Sequence, residues 1–442
     1  MSAKPMSARA LIFAGAGTAM AMVAAACGAN NSEPTSGPPA RPLASEICSP
    51  VSYGRPGRPR FLIVNSSGYQ GPRKGHGVQT AQAIKMVLAD RGWRAGPYTI
   101  GMQTCEETSA RTGQPSAEKC RRNARAFAQD RSVLGVVGPL YSSCAANMLA
   151  TLNRAPGGPL AVISGSNTYV GLTRAGPGAA PGEPGRYVPT GQRSYARMAP
   201  TDDIQGAADA LVAGRLGVRR AFVLDDRSPY GTALAGTFRA AAGRAGVSVV
   251  GTAAWVAGAR DYHALARRVR EAHPNAVFVA GDLAANGPQL IAALTEVLGP
   301  DVQLIAGDAF AQPAPLVEAA GSRVDGMIVS IAVLPNESLP PRGRRFAAEF
   351  EKRYTQRPCC YSVHDAQATE ILLDAIAKAG GSRARVARYV IGARVHNGLL
   401  GDFHLDRNGD TTLNTIGVYQ IRAGRLRFKQ AITPAQELLS RS

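Results

Sequence analysis

The sequence lacks the short motifs that identify the common hydrolases, metalloproteases and nucleotide-binding enzymes. It has no G-x-S-x-G elbow, no H-E-x-x-H pair and no Walker A loop. The neighbouring carboxylates Asp225 and Asp226 are poor partners for acid–base catalysis, because adjacent residues of a strand point to opposite faces. The sequence therefore predicts a protein that is not an enzyme.

Histidine and cysteine are too few and too scattered to suggest a metal site. The chain has six histidines and seven cysteines, with no C-x-x-C pair and no Cys/His cluster at zinc spacing. Asp406, Asn408 and Asp410 have the spacing of a calcium loop, but Thr411 occupies the position where that loop needs glycine. We therefore expect no metal and no cofactor.

Long apolar runs are also missing beyond the first 26 residues, so no later segment is predicted to span a membrane. Residues 1–26 combine basic Lys4 and Arg9 with a short apolar stretch, which is typical of a secretion signal. Small residues precede Cys27, as in bacterial lipoprotein signals, although Ala24 stands where that pattern prefers leucine. Two outcomes are open: a lipid anchor at Cys27 on the outer face of the cell membrane, or ordinary secretion.

The segment that follows the signal differs in composition from the rest of the chain. Residues 27–57 are rich in Asn, Ser, Pro and Gly, which predicts a flexible, lipid-anchored tether. About 385 residues remain after it, which suits two domains better than one compact core.

The formal net charge of +19 is large for a globular chain. A nucleic-acid-binding protein would cluster its basic residues and interleave aromatic ones, whereas the arginines here are scattered. We therefore expect no nucleic-acid partner. A generally arginine-rich composition explains the charge, and attraction to an anionic membrane surface is the alternative.

Six cysteines remain besides Cys27, an even number that suggests disulfides outside the cytoplasm. Cys105 and Cys120 bracket a polar loop and are predicted to pair with each other. The adjacent Cys359 and Cys360 are not expected to pair with each other, since the geometry would be strained.

The stretch from Gly135 to Thr173 is the most informative part of the sequence. It reads as strand, loop, helix, strand and loop, and small polar residues fill both loops: Ser142 and Ser143 in the first, residues 164–168 in the second. Both loops fall at the carboxyl edge of a parallel sheet, where ligands bind. The first loop also begins a helix, whose free N–H groups favour an anion. The simpler interpretation is that the first loop only caps the helix and the second is only a turn.

These residues resemble the periplasmic type 1 solute-binding proteins of the leucine/isoleucine/valine-binding family. In that family the first loop supplies a serine, and the second loop supplies a small residue and a threonine. These residues bind the carboxylate and the ammonium of an amino acid. The resemblance assigns these roles to Ser142, Ser166 and Thr168.

Three further residues match positions that line the ligand site of this family. Tyr230 corresponds to a tyrosine that packs on the ligand, and Asp308 to the acid that pairs with its ammonium. Tyr69 lies at the position of a loop that, in members of this family, closes over the ligand. Asp308 could instead cap a helix, and Tyr69 could instead be a surface turn residue. The loop after Val279 has Asp282 rather than the expected aromatic.

The resemblance also implies the architecture, an α/β fold of two Rossmann-like lobes with parallel sheets. Three crossovers, near residues 197, 332 and 403, are expected to join the lobes. The predicted boundaries are 58–196 plus 333–402 for lobe 1, and 197–332 plus 403–432 for lobe 2.

The implied function is solute capture outside the cytoplasm for an ABC importer. The ligand would bind in the cleft between the lobes, and the partners would be a permease and an ATPase. The alternative is a ligand-sensing or cell-surface receptor on the same fold, not coupled to transport. Both functions need the same closing cleft, so the residues alone do not separate them.

Overall fold

The computed structural model describes residues 38–71, 74–359 and 361–439. The predicted signal segment and Cys27 lie outside these residues. Across the described residues, helices and strands alternate as the spacing of apolar runs predicts. None of the described helices is both long and apolar enough to cross a membrane.

Lobe 1 begins with a six-stranded sheet in the order β2-β3-β1-β4-β5-β6. Its elements are β1 Phe61–Ser67, α1 Lys74–Asp90, β2 Arg94–Ala95, β3 Tyr98–Glu106, α2 Ala117–Gln129, β4 Val133–Val137, α3 Ser142–Asn153, β5 Ala161–Ser164 and β6 Tyr195–Arg197. All strand pairs are parallel except β2 with β3. Strands β1, β4 and β5 are buried along their whole length, as expected for parallel strands covered on both faces.

Lobe 2 contains a seven-stranded sheet in the order β15-β14-β11-β10-β9-β7-β8. Its first part comprises α4 Asp202–Arg215, β7 Arg220–Asp225, α5 Pro229–Ala242, β8 Ser248–Ala254, α6 His263–Glu271, β9 Ala276–Ala280, α7 Gly287–Leu298, β10 Gln303–Ala306, α8 Pro313–Ala320 and β11 Ile328–Ile331. The strands from β7 to β11 pair in parallel. Apolar clusters cover both faces of this sheet.

The chain then returns to lobe 1 and crosses once more to lobe 2. The remaining elements are α9 Pro341–Tyr354, α10 Ser362–Ala379, α11 Arg383–Val390, β12 Arg394–Gly398, β13 Gly401–His404, β14 Ile416–Arg422 and β15 Arg425–Ile432. Helices α9, α10 and α11 pack with α1 on one face of the lobe 1 sheet, opposite α2 and α3. Strands β14 and β15 complete the second sheet in antiparallel fashion. The segments that connect the two lobes are residues 198–201, 332–340 and 405–415. The two largely parallel sheets, each covered by helices, confirm the predicted α/β fold class.

A buried ion-pair network joins two of these connections. Arg197, which is fully buried at the end of β6, donates through Nε to Asp410 Oδ1 over 2.8 Å. Arg174 Nε donates to Asp410 Oδ2 over 2.9 Å and reaches Asp203 at the start of α4. Burial alone would raise the pKa of Asp410, but the charges of Arg197 and Arg174 outweigh it and hold that pKa below its ordinary value. The network therefore stabilises the hinge region as long as Asp410 is ionised.

Residues 38–57, which fall within the range predicted as a tether, lie against lobe 1. Within residues 38–57, Ala40 and Leu43 are buried against lobe 1. The Leu43 amide donates to Gln103 Oε1 over 2.8 Å, and Ser52 exchanges backbone hydrogen bonds with Met102 of β3. Two buried apolar residues and a strand-like pairing outweigh the polar average of the segment.

The predicted disulfide between Cys105 and Cys120 is wrong. Cys105 is bonded to Cys48 and Cys120 is bonded to Cys144. Cys105 lies in β3 opposite the N-terminal segment, whose Cys48 forms an antiparallel bridge with it. Cys120 lies on the face of α2 that packs against α3, which carries Cys144. Proximity in sequence was misleading because the partner segments meet only in the folded lobe.

Candidate functional site

A cavity of about 560 Å³ lies between the two lobes, lined by residues from the carboxyl ends of several strands. Five of the six predicted ligand residues line it: Ser142, Ser166 and Thr168 from lobe 1, and Tyr230 and Asp308 from lobe 2. Residues that are distant in sequence thus face one another across a single cleft.

Helix α3 begins at the lobe 1 wall of this cavity. Its N-cap is Tyr141, which makes no side-chain capping bond, and Ser142 is its first residue. The Ser142 hydroxyl accepts a hydrogen bond from the Tyr169 amide over 3.4 Å, so it does not serve as the cap. The amides of the first helical turn have no acceptor within the helix. An anionic group of a ligand would find hydroxyl and amide donors here.

A buried acid lies directly behind this helix start. Glu107 is fully buried, accepts from Ser66 Oγ over 2.7 Å and accepts from the Tyr141 amide over 3.0 Å. Burial raises the pKa of Glu107 to about 8. Because the group is mainly protonated at neutral pH, it adds little negative charge that would repel an anion at α3.

The second loop of lobe 1 is tied to the first. The Ser166 hydroxyl donates to the Leu140 carbonyl over 2.9 Å, and Ser164 Oγ accepts from the Asn167 amide over 3.0 Å. Thr168 is almost fully buried, and its carbonyl accepts from the Asp202 amide over 2.9 Å. These bonds fix the loop so that Ser166 and Thr168 line the cavity together.

The lobe 2 wall is built around Asp308, which follows β10. Its Oδ1 accepts a hydrogen bond from the Tyr230 hydroxyl over 2.7 Å, and its Oδ2 accepts from the Tyr361 hydroxyl over 2.7 Å. The N-cap of the following 3₁₀ turn is Gly307, so the Asp308 side chain is not a helix cap. Burial and the nearby Asp308 raise the pKa of Tyr230, which stays protonated as a donor. Gln205 Nε2 also donates to Oδ1 over 3.4 Å, so the capacity for a further donor lies on Oδ2.

Tyr69 is not among the residues that line the cavity, and its role as a ligand wall stays a prediction. Its hydroxyl donates to Asn65 and its amide donates to Glu106 Oε2 over 2.9 Å. The turn that carries Tyr69 folds back under lobe 1 because buried acceptors there satisfy both groups.

Two cavity residues, His76 and Tyr361, were not predicted as site residues. His76 on α1 is 5% exposed, and neither of its ring nitrogens has a hydrogen-bond partner in the described part of the chain. Its ring lies 6.1 Å from that of Tyr361, the residue immediately before α10. Tyr361 stands next to a helix start, in a chain segment that returns from the other lobe. This position is the signal that could have identified it as a site residue.

A second buried acid, Asp202, lies at the start of α4 behind Thr168. It is fully buried, and neither carboxylate oxygen forms a hydrogen bond of ordinary geometry with the described residues. Burial raises the pKa of Asp202 to about 8, and the Thr168 side chain offsets this only in part. The folded protein therefore holds a proton on Asp202 at neutral pH that the unfolded chain does not hold.

We expect Asp202→Asn to stabilise the protein at neutral pH. Because the folded pKa lies above the unfolded value, this residue's contribution to stability declines as pH rises from about 4 to about 8, by ~1.4 kcal/mol per pH unit. The substitution removes that dependence and should add about 1–3 kcal/mol at pH 7, reduced by the buried amide's own desolvation. Urea unfolding at pH 5, 6, 7 and 8 measures it. Asp374→Asn, at an exposed pair, is the control, and an unchanged pH slope in Asp202→Asn would contradict this account.

The two walls offer a ligand complementary groups. Lobe 1 supplies hydroxyl and amide donors, and lobe 2 supplies a carboxylate held by two phenols. The described residues contain no group of three or more His, Cys, Asp or Glu side chains that could hold a metal ion.

Comparison with known proteins identifies the family to which this architecture corresponds. Residues 108–425 match the sequence profile of a family described as periplasmic binding protein. None of the curated proteins matches the sequence. The leucine-binding protein LivK of Thermotoga maritima is 21% identical, with 85% of this chain and 99% of that chain covered and a TM-score of 0.71.

Two further solved structures share the fold. The branched-chain amino acid transporter substrate-binding protein LivJ of Streptococcus pneumoniae, in complex with isoleucine, is 17% identical, covers 85% of this chain and 99% of its own, and has a TM-score of 0.69. A solute-binding protein of an ABC transporter from R. palustris, in complex with 4-hydroxybenzoate, is 14% identical, covers 85% and 97%, and has a TM-score of 0.69. At such identities the likeness establishes the fold.

Proposed function

The chain belongs to the periplasmic binding protein family, and on that premise we propose that it captures a small amino-acid-like solute outside the cytoplasm. It would deliver the solute to the permease and ATPase subunits of an ABC importer. The observation that carries the proposal is the convergence of Ser142, Thr168 and Asp308 on opposite walls of one cleft. The solved neighbours that bind leucine or isoleucine support the same ligand class.

The ligand's two charged ends would meet different lobes. The carboxylate would bind Ser142, Thr168 and the first-turn amides of α3 in lobe 1. The ammonium would bind the Ser166 carbonyl and Asp308, since an ammonium removed from water needs an acidic partner. Tyr230 would cover the ligand from lobe 2 with its ring. The ligand therefore joins the two lobes, and its binding would favour closure about the three connections.

A thermal-shift screen of the mature chain tests the ligand class. We expect at least one L-amino acid, at about 100 times its dissociation constant, to raise Tm by about 3–6 °C, since a ligand that binds only the folded state stabilises it by mass action. The screen should include 4-hydroxybenzoate as the alternative class, because one solved neighbour binds it. A shift with that acid and with none of the amino acids would contradict the proposed ligand.

We also propose that Cys27 carries the lipid that anchors the protein to the outer face of the membrane. The residue follows Ala24-Ala25-Ala26 at the end of the signal segment. Ala40 is buried against the folded lobes, and we propose that the residues between Cys27 and that point serve as the tether. Cys27→Ser should release the protein from washed membranes into the soluble fraction, as measured by fractionation and immunoblotting. Retention of the variant at wild-type levels would contradict the anchor.

A further inference from the structure

Tyr361 forms a hydrogen bond that crosses from one lobe to the other. It is the N-cap of α10, which packs on the lobe 1 sheet, and it is 5% exposed. Its hydroxyl donates over 2.7 Å to Oδ2 of Asp308, which belongs to lobe 2 and lines the same cavity. The bond therefore depends on the relative position of the two lobes.

The ring of Tyr361 is held from the lobe 1 side. The His76 ring on α1 lies 6.1 Å away at 38°, and the His364 ring on α10 lies 5.7 Å away at 81°. The Tyr361 carbonyl accepts the Asp365 amide over 2.9 Å within the first turn of α10. The ring also belongs to the buried apolar cluster of lobe 2, so Tyr361 bridges the lobes, with its backbone in α10 of lobe 1 and its ring in contact with both lobes.

Asp308 therefore accepts hydrogen bonds from residues of both lobes. Tyr230 of lobe 2 donates to Oδ1 over 2.7 Å, while Tyr361 donates to Oδ2. Gln205 Nε2 also donates to Oδ1 over 3.4 Å, and since each carboxylate oxygen has about two acceptor positions, the remaining one lies on Oδ2. Both phenols are donors, and their bonds fix the direction of the lone pairs that remain on the carboxylate.

We propose that Tyr361 is a positioning residue that orients Asp308 toward the ligand's ammonium and couples capture of that ammonium to lobe closure. The inference rests on the proposed amino-acid ligand. A hydrogen bond of 2.7 Å is lost once the atoms separate beyond about 3.5 Å, so an opening that moves α10 away from lobe 2 breaks the bond between Tyr361 and Asp308. An ammonium at Asp308 then binds more tightly to the closed state, and by linkage it favours that state.

The test compares Tyr361→Phe with Tyr187→Phe by titration calorimetry, using the proteinogenic L-amino acids as probes. Tyr187 is a matched control, since its hydroxyl donates over 2.6 Å to Glu183, a buried acid away from the cavity. We expect Tyr361→Phe to weaken binding by about 10- to 100-fold, the effect of losing a bond to a charged group, and Tyr187→Phe to change it by less than about threefold. In an Asp308→Asn background, Tyr361→Phe should have almost no further effect.

Two results would overturn the proposal. If Tyr361→Phe binds amino acids within about twofold of wild type, or if its effect persists undiminished in Asp308→Asn, the residue does not act through Asp308. Either result leaves the proposed solute-binding function intact, because wild type still binds. If wild type binds none of the amino acids, the proposed function fails, and the role of Tyr361 fails with it.

Discussion

Asp308→Ala is expected to weaken amino-acid binding by about 2–5 kcal/mol, the usual consequence of removing one partner of a buried charge pair. Asp308 is the acidic residue that two phenols orient in the cavity, over 2.7 Å each. Without it, the ligand's ammonium would leave water and find only neutral partners. Titration calorimetry with the amino acid that stabilises wild type most measures the loss.

Two companion variants separate charge from shape. Asp308→Asn keeps an oxygen for one of the two phenols but removes the charge, so it should lose most of the same affinity. Asp282→Asn changes another acid that lines the cavity and should have a much smaller effect. Equal affinity of Asp308→Asn and wild type would mean that the ammonium is held elsewhere or that the ligand has none.

Asp410→Ala should lower the free energy of unfolding by about 3–5 kcal/mol, because it leaves the buried Arg197 without its charged partner. Arg174 also loses the acceptor that connects it to the third connection between lobes. Urea unfolding at neutral pH measures the difference. Asp374→Ala removes an ion pair whose side chains are 41% and 53% exposed, and it should cost less than about 1 kcal/mol.

The pH dependence provides a second check on this network. The pKa of Asp410 is lowered in the folded state, so its contribution is present above the unfolded pKa and is lost as pH falls through the folded value. The difference between wild type and Asp410→Ala should therefore shrink on acidification below about pH 4. A constant difference across that range would indicate packing rather than charge.

The fold was predictable because its strands carry a clear signature. Buried parallel strands such as β1 and β4 read as short apolar runs, and amphipathic or small-residue helices separate them. The resemblance then supplied the arrangement of the lobes, which periodicity alone does not determine.

The candidate site was predictable where topology alone brings residues together. Ser142 and Thr168 follow strands of the lobe 1 sheet, and Asp308 follows a strand of the lobe 2 sheet. The carboxyl edges of both sheets line the cleft, so the presence of these residues in one cavity follows from the fold. Tyr69 also follows a strand, but local acceptors turn it inward. Tyr361 enters the cavity from a helix start. Its position before the helix is visible in the sequence, but the contact with Asp308 depends on how α10 packs.

The disulfide pairing and the structure of the N-terminal segment could not be predicted from composition. Residues 38–57 look disordered by content, yet their few apolar residues and Cys48 hold them against β3. Pairing of Cys120 with Cys144 requires that α2 and α3 lie side by side. That arrangement is a property of the tertiary structure. Short stretches of sequence carried too little information to place either contact.

A crystal structure with the amino acid that raises Tm most is the most direct test of the central claim. The account predicts that this molecule lies between the lobes, with its carboxylate within hydrogen-bonding distance of Ser142 and Thr168 and its nitrogen beside Asp308. A ligand bound outside the cleft, or one whose carboxylate points away from the start of α3, would contradict it.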